Sequence, residues 1–105
     1  MTSLDEVIQV LNNHPALGLF GFGTLPPTLD ENFLKQVNAS RKWLTETPGA
    51  DIIIKRGSYA VKHMIETDVG YYIPNGAAIT AAILEGFDAV RKRPDGPNCY
   101  FTRRT

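Results

Sequence analysis

Between residues 55 and 75 the chain interleaves cations, tyrosines and amide-bearing side chains: Lys55, Arg56, Tyr59, Lys62, His63, Tyr72 and Asn75. More cations follow at Arg91, Lys92 and Arg93 and at Arg103 and Arg104, with Tyr71, Tyr100 and Phe101 among them. Lysine and arginine neutralise phosphates while tyrosine stacks on bases, which is how a single strand is held without its sequence being read. If the 91–93 run folds back against residues 55–62, a basic face forms. The plainer reading of the same residues is a solvated face, with tyrosines on the rim of the core and cations serving solubility.

Other constellations are weaker. His63 and Glu66 stand at i, i+3 and share one face of a helix, as in carboxylate-bridged metal sites. One such pair supplies two ligands where a metal wants three or four, and a helix-stabilising surface pair explains it better. Ser58, His63 and Glu66 point along one helix rather than converging on a substrate, as a hydrolytic triad must. Cys99 would need folding to bring it to His63, and a lone cysteine is usually a small buried hydrophobe. Gly18, Gly21 and Gly23 follow a helix and precede Pro26-Pro27, which is the wrong context for a dinucleotide-binding turn. No catalytic residue, metal or cofactor is expected.

Length and composition narrow the classes. A chain of 105 residues with 43% apolar and 21% charged residues is one domain's worth of ordinary globular sequence. One cysteine excludes an internal disulfide framework. No apolar run approaches the ~20 residues of a membrane span. Residues 1–6 have neither a basic segment nor an apolar core, so no signal peptide is expected and a cytoplasmic address is the default. The formal charge is zero, but residues 1–50 hold three basic and five acidic groups and residues 51–105 hold eight and six. This mild asymmetry gives no bulk electrostatic support for nucleic-acid binding.

The positioning elements can be read from capping and periodicity. Ser3-Leu4-Asp5-Glu6 fits a capping box, and Leu4, Val7, Ile8 and Leu11 make one apolar face that ends at Pro15. Residues 16–27 read as a glycine-rich apolar loop in which Leu19, Phe20 and Phe22 pack over the core. Thr28-Leu29-Asp30-Glu31 repeats the capping box before a helix to about Glu46. Ile52-Ile53-Ile54 is a β-branched run that predicts a short strand. Ser58 caps a helix from Tyr59 to about Thr67. Asn75 caps a small, apolar helix from Gly76 to Leu84, closed by Gly86. Pro94-Asp95-Gly96 between two alternating runs predicts a C-terminal hairpin.

The two helices between Tyr59 and Leu84 match a helix-turn-helix in outline. The recognition residues would then be Asn75, Gly76, Ala77 and Thr80, with asparagine able to read adenine. Against this, the second helix has no Arg, Lys or Gln, and the turn exceeds the usual three or four residues.

The spacing Ser58-Tyr59-x-x-Lys62-His63-x-x-Glu66, Gly70-x-Tyr72-x-x-Asn75-Gly76-x-x-Ile79-x-Ala81-Ala82, Gly86-Phe87 and Pro97-Asn98-x-Tyr100-Phe101 resembles small uncharacterised proteins carried by bacterial phages and mobile elements. The resemblance covers residues 57–101 and carries over no catalytic residue. It implies a small accessory protein acting on nucleic acid or on a host machine.

The expectation is therefore an α+β, mostly helical single domain over 1–105, with residues 1–50 able to form an N-terminal helical module. It has four helices, a strand near 52–54 and a small C-terminal β-hairpin. The leading function is a non-enzymatic binding protein that contacts nucleic acid, or a host complex handling it. Lys55, Arg56, Tyr59, Lys62, His63, Tyr72, Asn75, Arg91, Lys92 and Arg93 would make the contacts. The alternative is a protein-binding inhibitor of host defence, anti-CRISPR-like, that uses the apolar loop 17–25 or the acidic half. A small enzyme or metal protein around His63 and Glu66 is weaker still. The same apolar loop would serve equally as a homodimer interface.

Overall fold

A computed structural model of the chain describes residues 2–46, 48–91, 93 and 96–103. The first helix, α1 (Leu4–Asn13), begins with the expected capping box: Glu6 N donates to Ser3 Oγ and Ser3 N to the Glu6 carboxylate. Residues 16–25 are more ordered than a loop. Strands β1 (Leu17–Gly18) and β2 (Gly21–Phe22) pair antiparallel, Leu17 with Phe22 and Gly18 with Gly21. Leu17 and Phe22 enter the core, whereas Phe20 stays half-exposed rather than packing inward.

Helix α2 (Glu31–Glu46) starts one residue after Asp30, whose carboxylate accepts from Phe33 N at 2.9 Å. Asp30, not Thr28, is the cap. Phe33, Val37, Trp43 and Leu44 form its buried face.

The expected strand at 52–54 is instead the end of a short helix, α3 (Gly49–Ile53), so the chain has five helices among the described residues and not four. Pro48 O accepts from the amides of Asp51 and Ile52. A lone strand here would leave its backbone groups unpaired, while one helical turn satisfies them and still sends Ile53 fully into the core. The β-branched preference for strands is weak enough for that to decide the matter.

Helix α4 (Ser58–Val69) is preceded by Gly57 as cap and ends at Gly70, φ 84°. Helix α5 (Asn75–Leu84) follows Pro74. Ser58 and Asn75 were expected as caps; both lie inside their helices with side chains turned to interior partners. The hairpin is as expected: β3 (Phe87–Arg91) pairs antiparallel with β4 (Cys99–Arg103), from Phe87 with Arg103 to Arg91 with Cys99. Pro94 and Asp95 of the predicted turn lie outside the described residues.

Helix α5 is the centre of the molecule. Every residue from Asn75 to Ile83 is buried, and α1, α2, α4, β2 and β3 all pack on it. Ala77, Ala78, Ala81 and Ala82 let those neighbours come close. The buried cluster draws Val7, Val10, Phe33 and Val37 from one half of the chain and Val61, Ile65, Ile79 and Phe101 from the other. Arg41 ties α1, α2 and the end of α5 together by bonding to Thr2, Glu6 and Glu85. No helix of the described residues is long and apolar enough to cross a membrane.

The closest backbone approach is at the start of α5. Gly76 N donates to Leu19 O at 2.9 Å, and a Cβ on Gly76 would overlap the carbonyl oxygens of Gly18 and Leu19. Gly76→Ala must therefore push the 16–25 hairpin off the helix. Overpacking of this kind costs about 1–3 kcal/mol, so the urea midpoint of the variant should fall clearly. An unchanged midpoint would contradict the close approach.

Candidate functional site

Tyr59, Lys62, His63 and Glu66 recur at three- and four-residue intervals, which lines them along one face of α4. Glu66 is their hub. It accepts from Lys62 Nζ at 2.6 Å and from Ile73 N at 3.2 Å, and His63 Nδ1 lies 3.1 Å from its other oxygen. Burial pushes the Glu66 carboxyl up. The hydrogen bonds from Lys62 and Ile73, with the charges of Lys62 and His63, outweigh it and hold the carboxyl below its ordinary range. The Ile73 contact fixes the turn between α4 and α5, and so sets Tyr72 beside α4: Lys62 Nζ lies 4.8 Å from the Tyr72 ring centre. Tyr59 and His63 meet edge to face at 4.5 Å.

A second network fixes the start of α5. Asn75 Nδ2 donates to Asn98 Oδ1 at 2.9 Å and lies 3.4 Å from Phe20 O and 3.5 Å from Pro97 O. Ser58 Oγ donates to Asn98 Oδ1 at 3.4 Å and accepts from Cys99 N at 3.1 Å. The hairpin at 16–25, the start of α4, the start of α5 and the segment before β4 are thus joined around one carboxamide. Gly21, at φ 111°, belongs to the same junction, since a Cβ there would meet Pro97 O and Asn75 Nδ2.

Together the two networks build a cleft of about 320 Å³ lined by Phe20, Tyr59, Lys62, His63, Tyr72, Asn75, Pro97 and Asn98. Its walls are aromatic and open: Phe20, Tyr59 and Tyr72 are 50%, 59% and 54% exposed. Its floor is polar and closed, with Asn75 only 5% exposed. Tyr59, Pro97 and Asn98 also border an adjoining cleft of about 530 Å³, whose wall includes Gly57, Arg93 and Tyr100.

The structure therefore brings five of the ten predicted site residues into one cleft: Tyr59, Lys62, His63, Tyr72 and Asn75. Arg93 lines the neighbouring one. Lys55 and Arg56 are exposed in the turn just before Gly57. Lys92 lies outside the described residues. Two roles need correction. Lys62 is 7% exposed and committed to Glu66, so it is an internal cation and not a phosphate anchor on a basic face. Arg91 folds inward, its guanidinium 5.1 Å from the Phe22 ring and donating to Gly96 O at 2.9 Å.

The helix-turn-helix reading is also overturned. Asn75, Gly76, Ala77 and Thr80 are all buried, so α5 presents no face to a DNA groove. Two residues that matter here carry only faint signals in sequence: Phe20 reads as core filling or as part of the apolar loop 17–25, and Asn98 through its place in the Pro97-Asn98 pattern.

Nothing in the cleft resembles an assembled nucleophile. Cys99 is buried, and burial pushes its thiol up to about 12 against a smaller opposing effect of the Ser58 hydrogen bond. Such a thiol holds no thiolate near neutral pH. Among the described residues no group of three or more His, Cys, Asp or Glu side chains could hold a metal. Comparison of the chain with family models, curated proteins and solved structures finds no match. The chemistry of the cleft is therefore read from its own residues.

The lowered Glu66 carboxyl makes a pH prediction. Its stabilising contribution is complete above its unfolded value near 4.5 and is lost as pH falls through the lower folded value. The gap in unfolding midpoint between the native protein and Glu66→Gln should be widest near pH 6 and shrink toward pH 3. A gap that stays constant across that range would mean that Glu66 is not held ionised by its partners.

Proposed function

We propose that this protein is a non-enzymatic binding module for single-stranded nucleic acid, with bases stacking in the aromatic cleft and the backbone running past Arg93 toward Arg56 and Lys55. The convergence of Tyr59, Tyr72 and Phe20, each about half-exposed, around one amide-floored cleft carries this reading. Aromatic faces left open to solvent cost hydrophobic burial, and every base has a π-face to cover them, worth about 1–3 kcal/mol per base. Cations beside the cleft supply the phosphate contacts that make such binding salt-dependent. A single strand is favoured over a duplex because α5, the helix that would have to enter a groove, is buried. The resemblance of residues 57–101 to phage and mobile-element proteins is in keeping with a partner of this class.

A second reading rests on a different observation. Leu25 is 77% exposed, and Leu29 and Phe20 near it are also open. A host protein, such as a defence component, would cover that apolar edge. Co-purification that survives nuclease treatment and is lost in Leu25→Asp would favour it.

Fluorescence anisotropy with a short labelled single strand tests the first reading. If Lys55, Arg56 and Arg93 each neutralise a phosphate, the log–log salt slope should be about −2 or steeper. Tyr59→Ala, a change at an exposed side chain, should weaken binding about tenfold without lowering the unfolding midpoint. Absence of binding to any single strand at ~50 mM salt would overturn the reading.

A further inference from the structure

The single-strand reading rests on one cleft, and a second opens directly beside it. This second cleft, of about 530 Å³, shares Tyr59, Pro97 and Asn98 with the first and adds Gly57, Arg93 and Tyr100. Tyr59 belongs to α4, and Pro97 and Asn98 lead into β4, so the two clefts meet between one helix and the start of one strand. Tyr100 is 45% exposed and Tyr59 more open still, so the second cleft, like the first, has aromatic walls that reach solvent. Gly57 leaves room between them. It stands before α4 with φ −77° and ψ 166°, a conformation that any residue adopts, and as a glycine it gives the helix no side-chain cap. Backbone geometry therefore does not require glycine here. A Cβ on Gly57 would lie 3.7 Å from Cε1 of Tyr100 and 3.6 Å from Cys99 O, which are ordinary contact distances. A longer side chain at this position would take up the space against the Tyr100 ring.

The charges around this cleft narrow its occupant. Arg93 is on its wall, Lys55 and Arg56 are exposed immediately before Gly57, and no Asp or Glu is among the described residues that line it. These cations attract phosphate and repel a cationic side chain. Open aromatic walls with cations beside them suit a planar base carried on a phosphate backbone. The shared border with the first cleft places such a base next to the one already assigned there.

We infer that the second cleft is a second base subsite, so that a single strand lays adjacent bases on either side of Tyr59, with its phosphates on the Arg93 side. This inference rests on the single-strand reading above. Strands of one length, abasic except for either one base or two adjacent bases, test it at one fixed salt concentration. Equal length keeps the number of phosphates, and with it the salt-dependent part of binding, the same. The native protein should bind the two-base strand about tenfold more tightly than the one-base strand, the effect of one further stacking contact. Gly57→Leu, which fills the second cleft, and Tyr100→Ala, which removes one of its walls, should each bind the two strands alike. Equal affinity of the native protein for the two strands, or a tenfold advantage retained in either variant, would overturn the inference and leave the single-strand reading standing. Binding to neither strand, nor to one with a base at every position, would overturn both.

Discussion

One carboxamide holds the architecture of the site. Asn75 sits in the first turn of the most buried helix, and its side-chain nitrogen is shared among Phe20 O, Pro97 O and Asn98 Oδ1. Those partners lie 55, 22 and 23 residues away in sequence. A buried polar network of this kind specifies one arrangement strongly, because any partly satisfied alternative leaves polar groups unpaired in a low-dielectric interior. The glycine at residue 76 is the steric counterpart, since only a residue without Cβ allows the 16–25 hairpin to bond directly to the helix end. Polar and steric constraints thus act on the same few ångströms of backbone and hold the floor of the cleft still while its aromatic walls stay open.

The charge arrangement follows a similar division between inside and outside. The second half of the chain carries the excess of cations, but those nearest the cleft have different duties. Lys62 is paired with Glu66 and lies over the Tyr72 ring, so its role is to hold the α4 face and the 71–74 turn together. Removing one partner of such a pair costs far more than the pair contributes, because the other charge stays buried. Arg91 lies against Phe22 within the hairpin junction. Among the described residues of this half, Lys55, Arg56, Arg93 and Arg103 face solvent, and Arg103 is paired with Asp51.

Much of the fold was legible in the sequence, because periodic apolar faces and caps are local signals. The 4–13, 31–46 and 75–84 helices, the stop at Gly86 and the C-terminal hairpin could all be read that way. The strand expected at 52–54 failed where tertiary burial of Ile53 outweighed β-branched preference. Ser58 and Asn75 look like helix caps in sequence and are drawn inward instead, because partners 22 to 55 residues away offer them hydrogen bonds. No local pattern carries that information. For the site, residue types pointed correctly to Tyr59, Tyr72, His63 and Asn75. They could not tell a buried, paired Lys62 from an exposed one, nor reveal that Phe20 would wall the cleft.

The proposed activity requires that a ligand engage the rigid floor and the open aromatic walls together. Backbone and side-chain amide NMR during titration with a short single strand reads this directly. The largest shifts should fall on the side-chain amides of Asn75 and Asn98 and on the backbone amides of Tyr59, His63 and Tyr72. Shifts confined to the exposed apolar edge around Leu25 and Leu29, or an unchanged spectrum, would contradict it.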